Sequence, residues 1–410
     1  MNYSFSKGEN RITGTDFFTF FILFLSGSFL TSNDVIPPTA SKIIWFVMIS
    51  AMVFRLRRQG FRIWVSPFHI VLFFVFFLSC LLHSESFSTL FFSLLSVVIA
   101  VLASNNWSFE EFKTSYVKVL FFLSVVSLVM MVLFFLLPSV MNTLFRVQNI
   151  NNTAYHNNFV IFTKITNESG FGRNCGMFWE PGAFQTFISI GLLFESSKEK
   201  PSIRNIVVFA VTILTTLSTT GFFSLLFILV YMLLSDYGEN GKKIKRVISI
   251  FMLIVTIFIA MNSDLFFSKA NYTVFGKLLL YFRSDRYHSA ISSVSIRINS
   301  VIQPIYIFIK NPILGVGNAI FRDEMYDYTL GVTSCTLVNW YAIFGVGVGI
   351  IMTLGIVNIS KLVTCGKIKR FIVFLVFFIT TASENYVTNV AIIIIILYGL
   401  CRNDEMKKTV

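Results

Sequence analysis

The chain has 410 residues, 55% hydrophobic and only 13% charged, with 33 lysines and arginines against 20 acidic residues and a formal net charge of +13. A soluble domain carries roughly 25% charged residues, so this composition excludes a water-soluble globular protein. It also argues against nucleic acid as the reason for the charge. The basic residues sit in short clusters between long apolar runs, the distribution that the positive-inside rule produces.

About 20 apolar residues cross a bilayer core. On that measure the runs predict an all-α polytopic integral membrane protein of about 12 transmembrane helices, a single membrane domain over 1–410. Spans one (16–32) and two (40–54) flank a turn at Asn33-Asp34-Val35-Ile36-Pro37-Pro38. Arg55, Arg57, Arg58 and Arg62 follow as a basic cluster expected in the cytoplasm. Spans three (65–82) and four (87–103) are joined by His83-Ser84-Glu85-Ser86. A segment with Trp107, Glu110, Glu111 and Lys113 leads into span five, 116–137.

A polar loop, 138–180, comes next on the opposite face, rich in Asn, Thr and Ser and carrying Arg146, Lys164 and Arg173. It ends in Arg173-Asn174-Cys175-Gly176-Met177-Phe178-Trp179-Glu180-Pro181. Proline suits the first helical position because its missing N–H has no intrahelical partner there. Glu180 then stands at the helix N-terminus as a capping carboxylate, where the macrodipole favours negative charge. Arg173 is close enough in sequence for a folded-back loop to bring it near Glu180. Span six (181–194) is followed by Lys198, Lys200 and Arg204. The run 205–234 is too long for one span and is broken into two at Ser218-Thr219-Thr220-Gly221. Lys242, Lys243, Lys245 and Arg246 precede span nine, 247–261.

The larger polar loop is 262–333. Within it Val294, Ile298, Val301, Ile302, Ile305, Phe308 and Ile309 recur at helical spacing. They predict an amphipathic helix over 294–310, kinked at Pro304 and lying on the membrane interface or under the loop. It ends in Asn311-Pro312-Ile313-Leu314-Gly315-Val316-Gly317, which lacks the strand and third glycine of a nucleotide loop. Span ten (337–357), a basic turn with Lys361, Lys367, Lys369 and Arg370, and two last spans around Ser383-Glu384-Asn385-Tyr386 complete the chain.

Both termini are then cytoplasmic. Of the 33 lysines and arginines, 22 fall on that side and 11 on the other, ten of the 11 in the two polar loops. An exported anionic ligand accounts for them. The five cysteines and four histidines have no metal-ligand spacing, and neither a metal, a cofactor nor a cleavable signal peptide is expected.

Three pieces together resemble the O-antigen polymerase/ligase family of bacterial envelope enzymes. They are Arg173-x-x-Gly176-x-x-x-Glu180-Pro181, the break Leu217-Ser218-Thr219-Thr220-Gly221, and Asn311-Pro312-Ile313-Leu314-Gly315-Val316-Gly317. Their order, spacing and topology agree over 173–349, while the N-terminal third matches only as a hydropathy profile. The break lacks the arginine that many members carry. Where ligase-type members have His-Asn or His-Ser, this chain has Ser334-Cys335, which favours polymerase over ligase. The family pattern of an arginine followed by a glycine sixteen residues on is met by neither Arg173 (Ser189) nor Arg297 (Ile313).

The resemblance implies a glycosyltransferase C-type membrane fold with two periplasmic loops in the bacterial inner membrane. It implies polymerisation of oligosaccharide repeats carried on undecaprenyl pyrophosphate, with a chain-length regulator and a flippase as protein partners. Arg173, Arg283, Arg286 and Arg297 are the candidate pyrophosphate ligands, since arginine's planar fork meets phosphate bidentately. Glu180 is either the base that takes the acceptor hydroxyl's proton or the ion-pair partner that holds Arg173. Asp34 is a second base candidate, or simply a turn residue. Phe171, Phe178, Trp179 and Phe184 either line a lateral entrance for the lipid or form an interface belt. The alternatives are an O-antigen ligase, a capsule or exopolysaccharide polymerase and, from another class, a lipid-linked oligosaccharide flippase. A transporter buries ionisable residues midway through spans; here only Lys118 comes near that, close to a span end.

Overall fold

The computed structural model describes residues 12–32, 35–60, 63–144, 146–149, 152–158, 161–165, 172–238, 241–246, 248–250, 293–329 and 333–400. In chain order the helices are α1 (Gly14–Gly27), α2 (Phe29–Ser32), α3 (Pro38–Arg58), α4 (Pro67–Leu82), α5 (Phe87–Asn106), α6 (Phe109–Leu136) and α7 (Pro138–Thr143). They continue with α8 (Pro181–Ser196), α9 (Ile203–Thr215), α10 (Thr219–Leu234), α11 (Ser293–Lys310), α12 (Asn318–Thr329), α13 (Thr336–Val363), α14 (Lys367–Thr381) and α15 (Val390–Tyr398).

Four of these described helices are long and apolar enough to cross a membrane, over Thr39–Arg58, Phe87–Asn106, Phe109–Leu136 and Thr336–Val363. Shorter apolar helices include α1, α4, α9 and α10. Most of the expected ninth span lies outside the described residues. The outer surface fits lipid better than water. Phe46 is 71% exposed, Phe74 62% and Phe135 77%, large aromatics that a lipid environment would cover. Every residue of α8, by contrast, is buried, because α6, α9, α10 and α14 pack around it. Lys118 is not a lone intramembrane charge. Its ammonium bonds Asp16 Oδ2 at 2.6 Å, and Ser115 Oγ donates to Asp16 Oδ1 at 2.8 Å.

Two departures from the sequence reading bear on the site. First, the chain is not all-α. The polar loop folds into a four-stranded antiparallel sheet, β1 (Arg146–Asn149), β2 (Asn152–Asn158), β3 (Phe162–Ile165) and β4 (Arg173–Gly176), in the order β1-β2-β3-β4. Asn157 Nδ2 donates across the β2–β3 pair to Thr163 Oγ1 at 2.8 Å. The buried Asn174 ties β4 to α6 through Ser127 Oγ at 3.1 Å and to the end of α9 through Thr215 Oγ1 at 3.0 Å. The sheet thereby delivers the chain to the start of α8 in one fixed pose.

Second, α13 is broken. Gly345 sits at φ 79° and ψ −174°, outside any helical conformation. A break frees backbone groups, and an unpaired one in hydrocarbon costs several kcal/mol. The Asn311–Gly317 loop satisfies them. Val316 N donates to Ala342 O at 3.0 Å, Gly317 N to Ile343 O at 3.0 Å, and Val346 N to Pro312 O at 2.8 Å. The Asn-Pro-Ile-Leu-Gly-Val-Gly motif is thus the plug of a broken helix. It also ends α11, which forms over Ser293–Lys310 as the periodicity predicts. That helix packs on α13 through Ile307 and Phe308, with the Phe308 and Tyr341 rings 5.3 Å apart. Ile302, Ile305 and Ile309 face outward.

Candidate functional site

The site forms where β4, the start of α8, the α9–α10 break and the α14–α15 loop meet. Arg173 is the first residue of β4. Its Nε donates to Thr216 O at 3.1 Å and its Nη2 to Leu217 O at 3.4 Å. These carbonyls belong to the break, where Leu217 adopts a left-handed φ of 47°. Such a conformation in a residue with a Cβ needs outside support, and the guanidinium supplies part of it. Two of the three sequence motifs are therefore in direct contact. Ser218 and Thr220 hydroxyls share a 2.9 Å hydrogen bond, and Gln185 Nε2 donates to Thr220 Oγ1 at 3.2 Å, closing the break onto α8.

Glu180 occupies the N-cap of α8 with Pro181 at the first helical position, but its side chain makes no hydrogen bond to the helix. The expected capping carboxylate is therefore corrected. The position is right, and the carboxylate is turned to another use. What it meets is Glu384, with which it shares a hydrogen bond.

Glu384 comes from the α14–α15 loop, which is fastened to the first turns of α8. Ser383 Oγ donates to Gly182 O at 3.2 Å, Thr186 Oγ1 donates to Thr380 O at 2.9 Å, and the Thr186 and Ser383 hydroxyls are 2.8 Å apart. Thr336 Oγ1 donates to Glu384 O at 2.9 Å, while the Tyr386 ring stands against Trp179 at 6.1 Å. The loop lays the Glu384 carboxyl over Gly182. Burial pushes that carboxyl well above the usual carboxylate range. The charge of Glu180 and the hydrogen bond between the two push the same way, while Arg297 and Arg173 pull it back by less. Burial and the neighbouring Glu180 both favour the protonated form of Glu384, the form that can donate to Glu180. All four residues keep part of their surface exposed.

Of the residues singled out from sequence, the structure brings Arg173, Glu180 and Arg297 together around Glu384. Asp34, Arg283 and Arg286 lie outside the described residues, as does Phe171. The lateral-entrance reading of Phe178 and Phe184 is corrected. Both are fully buried, Phe178 stacked on Phe184 at 5.6 Å and on Phe187 at 4.6 Å. Only Trp179, half-buried, keeps a place at the site's edge. Sequence reasoning missed Glu384 by treating its tetrapeptide as a turn. The available signal was an acidic residue on the same face as the 138–180 loop, within an otherwise apolar stretch.

A neutral carboxylic acid bonded to a carboxylate, flanked by guanidinium groups, is an arrangement suited to acid–base work on an anionic substrate. No protein-family model matches the chain, and no curated protein matches it.

The contact over Gly182 yields a direct test. A methyl group at Gly182 would overlap Glu384 Oε1, so Gly182→Ala is expected to displace that carboxyl and, where the pair serves a reaction, to slow it by about tenfold or more, the scale of small misplacements near reacting groups. Protein level in the membrane should change little, since alanine is the better helix former. Undiminished activity in Gly182→Ala would show that the position of Glu384 is immaterial.

Proposed function

We propose that the chain is a polymerase of O-antigen-type repeats, transferring the growing chain from undecaprenyl pyrophosphate to an incoming lipid-linked repeat on the periplasmic face. The observation that carries this reading is the convergence of Arg173, Glu180, Glu384 and Arg297 at the start of α8, against the α9–α10 break. The proposal includes about twelve spans in the bacterial inner membrane with both termini cytoplasmic. That topology puts the group on the exported side, where the lipid-linked repeats are presented.

The chemistry follows from the parts. The acceptor hydroxyl oxygen forms a bond to the anomeric carbon of the growing chain. The bond from that carbon to the pyrophosphate oxygen breaks, and undecaprenyl pyrophosphate leaves with the electron pair. The hydroxyl proton passes to Glu180. General base catalysis of this kind is typically worth about 10²–10⁴-fold. Arg173 and Arg297, with Arg283 and Arg286 from the large loop, meet the charge that develops on the leaving group.

Ser334-Cys335 supports polymerase over ligase. Cys335 is buried, and burial pushes its thiol up to about 11, so this position offers neither an imidazole nor a thiolate.

Disrupting the gene and examining surface lipopolysaccharide tests the reading. A single core-linked repeat in place of a ladder, restored by the wild-type gene, is the expected result. Loss of all polymer from the core with lipid-linked polymer accumulating means ligase, and lipid-linked repeats trapped on the cytoplasmic face mean flippase. An unchanged surface in a strain that makes the ladder would exclude the role altogether.

A further inference from the structure

Glu384 has no part in the motifs that suggested the function, yet its loop is anchored by hydrogen bonds on both sides of it. Ser383 on one side of it binds the Gly182 carbonyl. Asn385 on the other donates from Nδ2 to Thr333 Oγ1 at 2.9 Å, and Tyr386 N donates to Thr336 Oγ1 at 2.7 Å. Hydrogen bonds to α8, to Thr333 and to the start of α13 thus hold one carboxyl over the first turn of α8, next to a carboxylate that does not cap its own helix.

From this geometry we propose that Glu384 is the positioning residue of the site: its carboxyl, held over Gly182, hydrogen-bonds Glu180 and fixes which Glu180 oxygen faces the acceptor hydroxyl. The inference rests on the polymerase reading for its substrate, while the carboxyl pair itself stands on the packing. The groups facing Glu384 are Glu180 at the start of α8, Arg173 on β4 and Arg297 on α11, with Tyr386 on its own loop. Both cations oppose protonation, and burial together with Glu180 outweighs them.

The proton balance is simple. Glu180 accepts the hydroxyl proton as the new glycosidic bond forms, both carboxyls are briefly neutral, and one proton returns to water after the pyrophosphate leaves. Glu384 ends the cycle as it began. Above its raised pKa it loses its proton, the hydrogen bond is lost, and two adjacent carboxylates repel. Activity should therefore fall on the alkaline side.

Glu384→Gln keeps a neutral donor that cannot ionise. It is expected to retain activity within about tenfold of wild type at neutral pH and to flatten the alkaline limb of the pH profile. Glu384→Ala, which removes the donor, should lose about 10²-fold or more, the scale of a disabled general base. Glutamine as inactive as alanine, or an alkaline limb unchanged in the glutamine variant, overturns the proposal.

Infrared spectroscopy of the purified protein gives a readout independent of turnover. A protonated-carboxyl C=O absorption at neutral pH that disappears in Glu384→Gln supports the pair, and its absence in wild type overturns it. If the absorption is present but the folded, purified protein makes no polymer from lipid-linked repeats, the polymerase reading fails and the pair stands. If polymer forms without the absorption, the pair fails and the polymerase reading stands.

Discussion

Replacing Gly345 by alanine is expected to remove the folded protein from the membrane, whereas the same change at Gly347, two residues on, is expected to leave it in place. At Gly345 the backbone occupies a conformation that residues with a Cβ essentially never adopt. An added methyl group would also overlap the Ile313 carbonyl. The strain alone is worth about 1–3 kcal/mol. Relieving the overlap means withdrawing the 311–317 plug, which would abandon the three backbone hydrogen bonds it makes with the break. A native protein has only about 5–15 kcal/mol of stability to lose, so the sum approaches the whole. A methyl group on Gly347 meets nothing within 4 Å and serves as the control, because alanine is the better helix former. Membrane abundance and detergent melting temperature would decide the matter. Equal melting of Gly345→Ala and wild type would mean that the break is not what the plug supports.

On the polymerase function proposed above, Arg173→Ala is expected to eliminate polymer and to lower stability at the same time. The guanidinium bonds two carbonyls of the α9–α10 break, and hydrogen bonds to charged groups contribute about 1.5–3 kcal/mol each. Removing the side chain leaves Thr216 and Leu217 carbonyls without that donor at a point where the backbone is already left-handed. Arg173→Lys separates charge from shape. A lysine keeps the positive charge but has no fork to span two carbonyls, so it should recover less than a tenth of wild-type polymer even where membrane levels are normal. The surface polysaccharide ladder and the melting temperature, read on both variants, make the check. A full-length ladder from Arg173→Ala would remove this residue from the site.

The apolar runs disclosed the helices because length and composition act locally. The 3.6-residue recurrence from Val294 to Ile309 marked α11 to within a residue, and Ser218-Thr219-Thr220-Gly221 marked the gap between α9 and α10. The sheet was not visible in the sequence. Its short polar strands are held by backbone bonds and by asparagines such as Asn157 and Asn174, which in sequence read as loop. The break in α13 was hidden for a related reason. Gly345 looks like any small residue in an apolar run until the partner loop, some thirty residues earlier, is laid against it. At the site, Arg173 and Glu180 were legible because they lie in one motif. Glu384 was not, since only folding places residue 384 beside residue 180.

The plug of α13 also has an order in time. Residues 311–317 are synthesised before 336–363, so the seven-residue stretch that fills the break is already outside the ribosome when the broken helix emerges. The helix need not wait with bare carbonyls for a later segment. In a chain assembled from its N-terminus, swapping the order of these two elements by circular permutation would leave the gap open during insertion, even if the finished contacts were identical.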